Sequence, residues 1–425
     1  MPDSWHTNLL RWVGMKRTEC LRLYPTAFQR RRLAFMLDVT REIYNALLEQ
    51  RRISCPMRRG SITSKRQYRE LTELRGANGR ADAVFRECED AVLHRLDLAF
   101  SAFFRRVKKG EAPGFPRFKG PSRWNQLQFS HGDRALKFSL DQSKVRIPGV
   151  GIVRTRKGRT IPTFGRAWLV RKVGRWYACF ECERTVVSLP TIGRKVGLDR
   201  GVHVLATTSD GLLIRNPRFF ERARRLIGRL QRIVARRLRG GKNRRKAQRL
   251  LARAHERVKN ARRDFVHKVS RRIINRCDVV VLEALNLKGM TRSAKGTMEL
   301  PGRNVAAKAA MNRALLDSGF GLLRQMIVAK AEEAARTVVE VDPRYSSQEC
   351  ARCGHRAVES RRERRYLCVR CGFSVHADVN AALVIRRRAE LRPTARGASM
   401  EDLSDPRRMP YAGAEPPRCD REVAA

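Results

Sequence analysis

The chain has 425 residues, enough for roughly two to four domains and a sizeable core. Its 92 Lys and Arg stand against 41 Asp and Glu, a formal net charge of +51 that repels itself in a compact state and calls for a polyanion. Nucleic acid is the first reading, solvated basic faces the plainer one. No apolar run approaches the ~20 residues of a membrane span, and the opening MPDSWHTNLLRWVGM lacks a signal peptide's apolar core and cleavage site.

Residues 1–14 read as an extension ahead of a domain that begins near Met15. Residues 16–23 (KRTECLRL) alternate as a strand does. Pro25 then opens a long helix, with Phe28, Phe35, Val39, Ile43 and Leu47 as its apolar stripe. Helix resumes at 68–74 and from Ala81 to Val107, where Leu93, Leu96, Phe100 and Phe103 line one face. These stripes read as the core of a helical module. Residues 108–120 (KKGEAPGFPRFKG) end it. Phe115 and Phe118 interleave there with basic residues, which suits gripping a phosphate backbone or a plain domain connection.

Short strands fill 127–184 (LQFS, ALKFSL, KVRIP, GIVRTR, WLVRKVG, RWYACFECE), as in a small barrel or sheet. Cys179 and Cys182 have metal-like spacing. Their segment alternates, however, so residues three apart point to opposite faces, and the pair reads as no metal site. Residues 195–215 read as a three-strand meander with Asp210-Gly211 as a hairpin turn. Two long helices follow. Phe220, Ala223, Ile227, Leu230 and Val234 form one seam; Leu250, Ala254, Val258, Ala261, Phe265 and Val269 form the other. The turn Arg239-Gly240-Gly241-Lys242-Asn243 makes them an αα-hairpin. Its outer faces are very basic, as in an arm over nucleic acid or a solvated pair.

Residues 278–283 (DVVVLE) read as a buried strand, 291–297 as a flexible loop, 304–335 as helix and 337–342 as a strand. A cysteine-rich stretch and a helix from His376 to about Glu390 close the ordered part. The tail from Leu391 is rich in Pro, Arg and Gly and reads as disordered.

Of the 11 cysteines, four form two CxxC pairs, Cys350/Cys353 and Cys368/Cys371. The others are scattered, which suits the reducing cytoplasm better than a disulfide framework. Fourteen residues separate the pairs, and Gly354 and Gly372 follow them. Four thiolates at that spacing complete a closed, structural Zn²⁺ site. His355 and His376 lie close but are not needed.

Asp199 ends an apolar strand in KVGLDRGV, Glu283 ends another in VVVLEALNL, and Asp378 starts the last helix in HADVNAALVI. Each alone reads as a surface acid or a cap. Together, at the ends of buried elements, they would repel unless a cation sat among them, and oxygen ligands select Mg²⁺ or Mn²⁺. Two such ions ~4 Å apart can bracket a phosphodiester.

An Asp-bearing meander, a Glu-bearing strand and an Asp-bearing helix resemble a RuvC-type nuclease of the RNase H fold. YSSQECARCG, CVRCGF and HADVNAA resemble the C-terminal motifs of the TnpB (OrfB) family of insertion-sequence proteins, itself similar to the compact type V CRISPR effectors. YNALLEQRR and AFFRRVKKGEAPGFPRFKG also look like that family. The resemblance implies an α+β multidomain protein. A wedge strand takes 15–24, a helical recognition lobe 25–110 and a β-barrel wedge domain 111–190. A RuvC-like domain takes 191–344, with the helical hairpin at 217–275. A zinc ribbon takes 345–374, the last RuvC helix 375–390 and a tail 391–425. It also implies an RNA-guided DNA endonuclease from a transposable element. A guide RNA would pair with double-stranded target DNA beside a short flanking motif. Asp199, Glu283 and Asp378 would be catalytic ligands of two Mg²⁺ or Mn²⁺ ions. Competing readings are a guided DNA binder that does not cut, a transposase or its accessory, and a structural RNA-binding protein.

Overall fold

The alternating residues after position 14 form β1 (Met15–Tyr24), which buries Leu21 and Leu23. It begins the part of the chain that the computed structural model describes: residues 15–54, 62–77, 79–156, 161–184 and 186–390. These pack as two units, 15–184 and 186–390. The expected N-terminal extension and C-terminal tail lie outside the described residues. Among the described residues, no helix is long and apolar enough to cross a membrane.

In the first unit β1 is followed by four helices, α1 (Ala27–Ser54), α2 (Ser64–Ala77), α3 (Gly79–Asp82) and α4 (Arg86–Lys108). Then come β2 (Gln126–Phe129), α5 (Gly132–Ala135), β3 (Lys137–Phe138), β4 (Lys144–Ile147), β5 (Gly151–Thr155), β6 (Phe164–Lys172) and β7 (Arg175–Arg184). The strands make one sheet in the order β2-β6-β7-β1-β5-β4-β3, so the first strand sits between strands that come much later. Phe138 of β3 packs on Phe164 and Phe180 at ring distances of 6.0 and 5.2 Å, so the sheet curls over its core. No ladder joins β2 to β3 among the described residues; the expected barrel is seen as a curved sheet. Leu37, Leu47 and Leu96 of the helices share a core with Leu127, Phe129 and Phe180 of the sheet.

Three local expectations give way here. The helix expected from Ala81 to Val107 breaks between α3 and α4. Val84 turns into the core there, and Phe85 seats on Phe129 at 6.1 Å. Phe28, expected in the core stripe, is exposed in the first turn of α1. Cys20 and Cys179, opposed across β1 and β7, are joined by a disulfide, where scattered thiols were expected. The loop at 108–120 is docked on its own unit. Phe115 packs edge-on against Phe100 and Phe103, and Asn45 exchanges hydrogen bonds with both backbone groups of Lys119.

The second unit holds β8 (Lys195–Asp199), β9 (Val204–Thr208), β10 (Leu213–Arg215), α6 (Phe219–Arg236), α7 (Lys242–Ile274), β11 (Val279–Glu283) and α8 (Leu287–Met290). It continues with α9 (Val305–Ser318), α10 (Phe320–Glu333), β12 (Thr337–Val341), β13 (Arg361–Arg362), β14 (Arg365–Leu367), β15 (Ser374–His376) and α11 (Ala377–Glu390). Its main sheet runs β10-β9-β8-β11-β12, an antiparallel meander continued by two strands parallel to β8. The small sheet β13-β14-β15 carries the cysteine-rich stretch. Helix expected through 304–335 is split at Gly319, whose φ of 72° ends α9 and lets α10 start in a new direction. In the hairpin seam Leu251, not Leu250, packs with Ile227 and Ala254, and Leu250 faces solvent.

Candidate active site

Strand register brings two of the acids together. β8 and β11 are parallel neighbours with Leu198 opposite Leu282, so Asp199 and Glu283 end adjacent strands at the same level. Alternation sends Val196, Leu198, Val280 and Leu282 into the core shared with α7 and α10. The other parity holds Gly197, Asp199, Val281 and Glu283, and it faces α11. Val281 packs there against Ile385.

The third acid is brought by a glycine. A Cβ at Gly197 would stand 2.1 Å from the Ala382 carbonyl oxygen and 2.8 Å from the Arg386 nitrogen, so only glycine lets α11 lie directly on β8. The helix runs antiparallel to the strand, with Glu390 at 4.0 Å from Lys195. Asp378 is one turn before Ala382, and Asp199 is two residues after Gly197. Both steps are about 6–7 Å, so seating Ala382 on Gly197 carries Asp378 toward Asp199.

The charges of the other two acids reach Asp199. The Asp199 carboxyl is pushed up to about 7, first by burial and then by the charges of Glu283 and Asp378. Arg361 and the Arg200 backbone N–H oppose that rise. Burial also raises Glu283, opposed by a 2.7 Å hydrogen bond from Ser346 Oγ and by the charges of Arg200 and Arg388. Arg200 is itself buried and donates to the Glu283 carbonyl oxygen. Arg361 Nη2 lies 3.4 Å from Asp378 Oδ1, reaching over from β13. One buried and two half-buried carboxylates that converge this way are a donor set that fits a hard divalent cation.

The cysteines are gathered more tightly. The four Sγ atoms lie within 4.8 Å of one another, and the acids are not drawn that close. Cys350 approaches Cys371 at 3.7 Å and Cys353 approaches Cys368 at 3.6 Å. Each pair turns in a knuckle closed by the Gly354 N–H on Cys350 O and the Gly372 N–H on Cys368 O. Both glycines have positive φ, as this turn requires. The thiols titrate together: against burial, the N–H groups of Cys371 and Arg370 hold Cys368 at about 6, while burial raises Cys350 and, against the Phe373 N–H, burial and the other three thiols push Cys371 up to about 12. Four sulfurs with a thiolate already favoured fit Zn²⁺.

The first knuckle is bonded to the acid-bearing helix. Buried Asn380 donates to Glu349 O at 2.7 Å and accepts from Ala351 N at 3.0 Å, one residue either side of Cys350. The Glu349 carboxylate is buried and takes Arg387 and Arg388 of α11 at 3.1 and 2.8 Å. His376 accepts the Asp378 N–H at 3.3 Å and is not among the gathered sulfurs. Gly197, Arg200, Ser346, Arg361 and Asn380 were not singled out from sequence. Only Gly197 carried a signal, as a lone glycine inside an apolar strand.

Three family profiles match the chain: "Probable transposase" over 178–294, "Cas12f1-like, TNB domain" over 320–385 and "Helix-turn-helix domain" over 15–54. The last span holds a strand and one long helix here. The "Putative RNA-guided DNA endonuclease InsQ" of Escherichia coli K12 is 34% identical over 294 residues, 68% of this chain and 71% of that protein. A "Putative RNA-guided DNA endonuclease" of Streptomyces pristinaespiralis is 28% identical, over 87% of this chain and 88% of its own. Among solved structures, a mini-RNA-guided endonuclease, CRISPR-Cas_phi3, aligns with a TM-score of 0.53 at 10% identity, covering 89% of this chain and 93% of its own, and so shares the fold.

Proposed function

The chain belongs to the OrfB (TnpB) family of insertion-sequence proteins, and from that premise we propose that it is an RNA-guided DNA endonuclease whose cutting site is Asp199, Glu283 and Asp378. The order β10-β9-β8-β11-β12 with α11 on one face supports an RNase H-like, RuvC-type reading of the second unit. Under this reading the curled sheet at 111–190 with β1 is the wedge, and 25–110 is the recognition lobe.

The observation that carries the site is the register that ends β8 and β11 with Asp199 and Glu283 side by side, beneath a helix whose seat on Gly197 brings Asp378 toward them. Bound Mg²⁺ or Mn²⁺ would supply Lewis-acid charge at a scissile phosphate, held by these three carboxylates. The chain's own residues set up that chemistry. Parallel register and Gly197 bring the acids together, and Ser346 orients Glu283. Arg361 offers a cation beside Asp378 that can meet a phosphate oxygen. Cys350, Cys353, Cys368 and Cys371 would hold one structural Zn²⁺, fixing the knuckle that Asn380 grips. Base pairing with a guide RNA would read target DNA, and protein contacts would read the flanking motif.

The test is single-turnover cleavage by the RNA-loaded protein in Mg²⁺. Asp199→Ala, Glu283→Ala and Asp378→Ala each lower cutting to background, while RNA and target binding stay within about threefold, because phosphate affinity comes from Lys and Arg. Cutting by purified Asp199→Ala would falsify the site.

A further inference from the structure

The hairpin of α6 and α7 takes no part in the acid site, yet its first helix is patterned on both sides. Phe220, Ala223, Ile227 and Leu230 face the partner helix. On the opposite side Arg222, Arg225, Arg229 and Arg232 recur at spacings of three, four and three. At 100° per residue they occupy one narrow stripe, about 15 Å long. Among the described residues no carboxylate pairs with these four, and Glu221 beside them is already held by Arg224 at 2.9 Å. Like charges at this spacing weaken a helix, so folding gives no reason for the stripe.

The stripe lines an open depression along α6, which Arg313 of α9 also lines. The two helices are fixed to each other. Asp317 at the end of α9 accepts the N–H groups of Phe220 and Glu221 and pairs with Arg262 of α7 at 2.6 Å. It caps α6 from outside and ties it to α9.

Gly228 supplies a second, independent observation. It sits mid-helix, lines the depression, and a Cβ there would meet only the Arg232 guanidinium, at 3.8 Å. Glycine weakens a helix interior relative to alanine, and nothing in the protein crowds this position. A glycine without an internal reason fits the close approach of an outside backbone.

Resting on the guided-nuclease reading, we propose that this face of α6 is a track for a phosphodiester backbone, gripped by Arg222, Arg225, Arg229 and Arg232 and approached most closely at Gly228. Guanidinium groups suit it because each can donate two hydrogen bonds to one phosphate. RNA and DNA share this chemistry, and the experiment separates them.

The protein is purified at full length, and the RNA that copurifies is transcribed and end-labelled. One arm titrates this RNA alone; the other titrates a matching DNA duplex with the RNA-loaded protein. Replacing the four arginines by Gln lowers affinity about tenfold or more near 0.15 M salt, and the slope of log affinity against log salt shrinks by ~3. Loss in the first arm assigns the track to RNA; loss in the second alone assigns it to DNA. Gly228→Ala raises or keeps the melting temperature yet weakens the same arm about fivefold, which separates a contact from a folding defect. A control replaces Arg245, Lys246, Arg249 and Arg253 of α7 by Gln. Wild-type affinity in both arms, a loss no larger than the control's, or normal binding by Gly228→Ala overturns the track. Wild-type protein that binds no RNA would sink the nuclease reading instead.

Discussion

The cysteine clip and the acid cluster lie in one unit and are assembled by different means. Cys350 and Cys371 are 21 residues apart, and two tight knuckles bring four sulfurs within 4.8 Å. The acids come from two strands and a helix far apart in sequence, and nothing local gathers them. Parallel register sets Asp199 beside Glu283, and a missing side chain at Gly197 admits the helix that carries Asp378. The clip depends on its own residues, the acid site on the packing of the whole sheet. Asn380 joins the two, so they can be perturbed separately or through their link.

The sharpest break leaves the clip untouched. Gly197→Ala puts a methyl group where the Ala382 carbonyl now lies, so α11 must lift from β8. Such overpacking costs about 1–3 kcal/mol in stability. A shift of ~1 Å at a catalytic group costs ~100-fold in rate, and here Asp378 moves against both other acids. Cleavage should fall by about 100-fold or more, with one zinc per chain retained. Near-normal cutting by a folded Gly197→Ala protein would show that the helix need not sit on the glycine.

The converse break starts at the clip. Cys368→Ser should abolish stoichiometric zinc, since structural zinc supplies ~10–16 kcal/mol of apparent binding energy in small modules. Cleavage should then drop about 100-fold at most, because Gly197 still seats the far part of α11. Cys179→Ser should leave zinc unchanged, because Cys179 is bonded to Cys20 in the other unit. Elemental analysis beside cleavage reads both; full zinc in Cys368→Ser would overturn the clip.

This contrast also explains what could be read from the sequence. The clip was legible because its spacing and glycines are the structure. The acids were legible as candidates because each ends an apolar run, and the hairpin because its seams repeat. Arg361 was not, since only the turn from β13 toward α11 aims it at Asp378. Nor was the break at Val84 and Phe85, where packing on Phe129 overrides helical periodicity. The Cys20–Cys179 bond follows from β1 pairing with β7, a long-range register that no local pattern reports.

The link itself should give an intermediate effect. Asn380→Ala strips partners from Glu349 O and Ala351 N, each buried group costing about 1–3 kcal/mol when unsatisfied. Glu349 still holds Arg387 and Arg388, so the knuckle stays near α11. Zinc content should be normal and cleavage about tenfold lower. Loss of zinc would mean that Asn380 builds the clip instead of tying it to the helix.

The smallest effect reads the acid cluster without cleavage. Asp199 titrates at about 7 in the folded chain and near 3.9 when unfolded. The folded state therefore holds this proton more tightly. Stability fully present below about pH 4 declines as pH rises toward 7 and stays lost above it. The cause is burial, followed by the charges of Glu283 and Asp378. Asn cannot ionise, so Asp199→Asn should melt a few degrees higher than wild type near about pH 8 in buffer without Mg²⁺. That advantage should shrink as pH falls through 7 and vanish near about pH 4. Adding Mg²⁺ should raise the wild-type melting temperature more than the variant's, since the cation relieves the same repulsion. Calorimetry across this range decides it. A difference that ignores pH, or grows in acid, would mean that the three carboxylates are not coupled through Asp199.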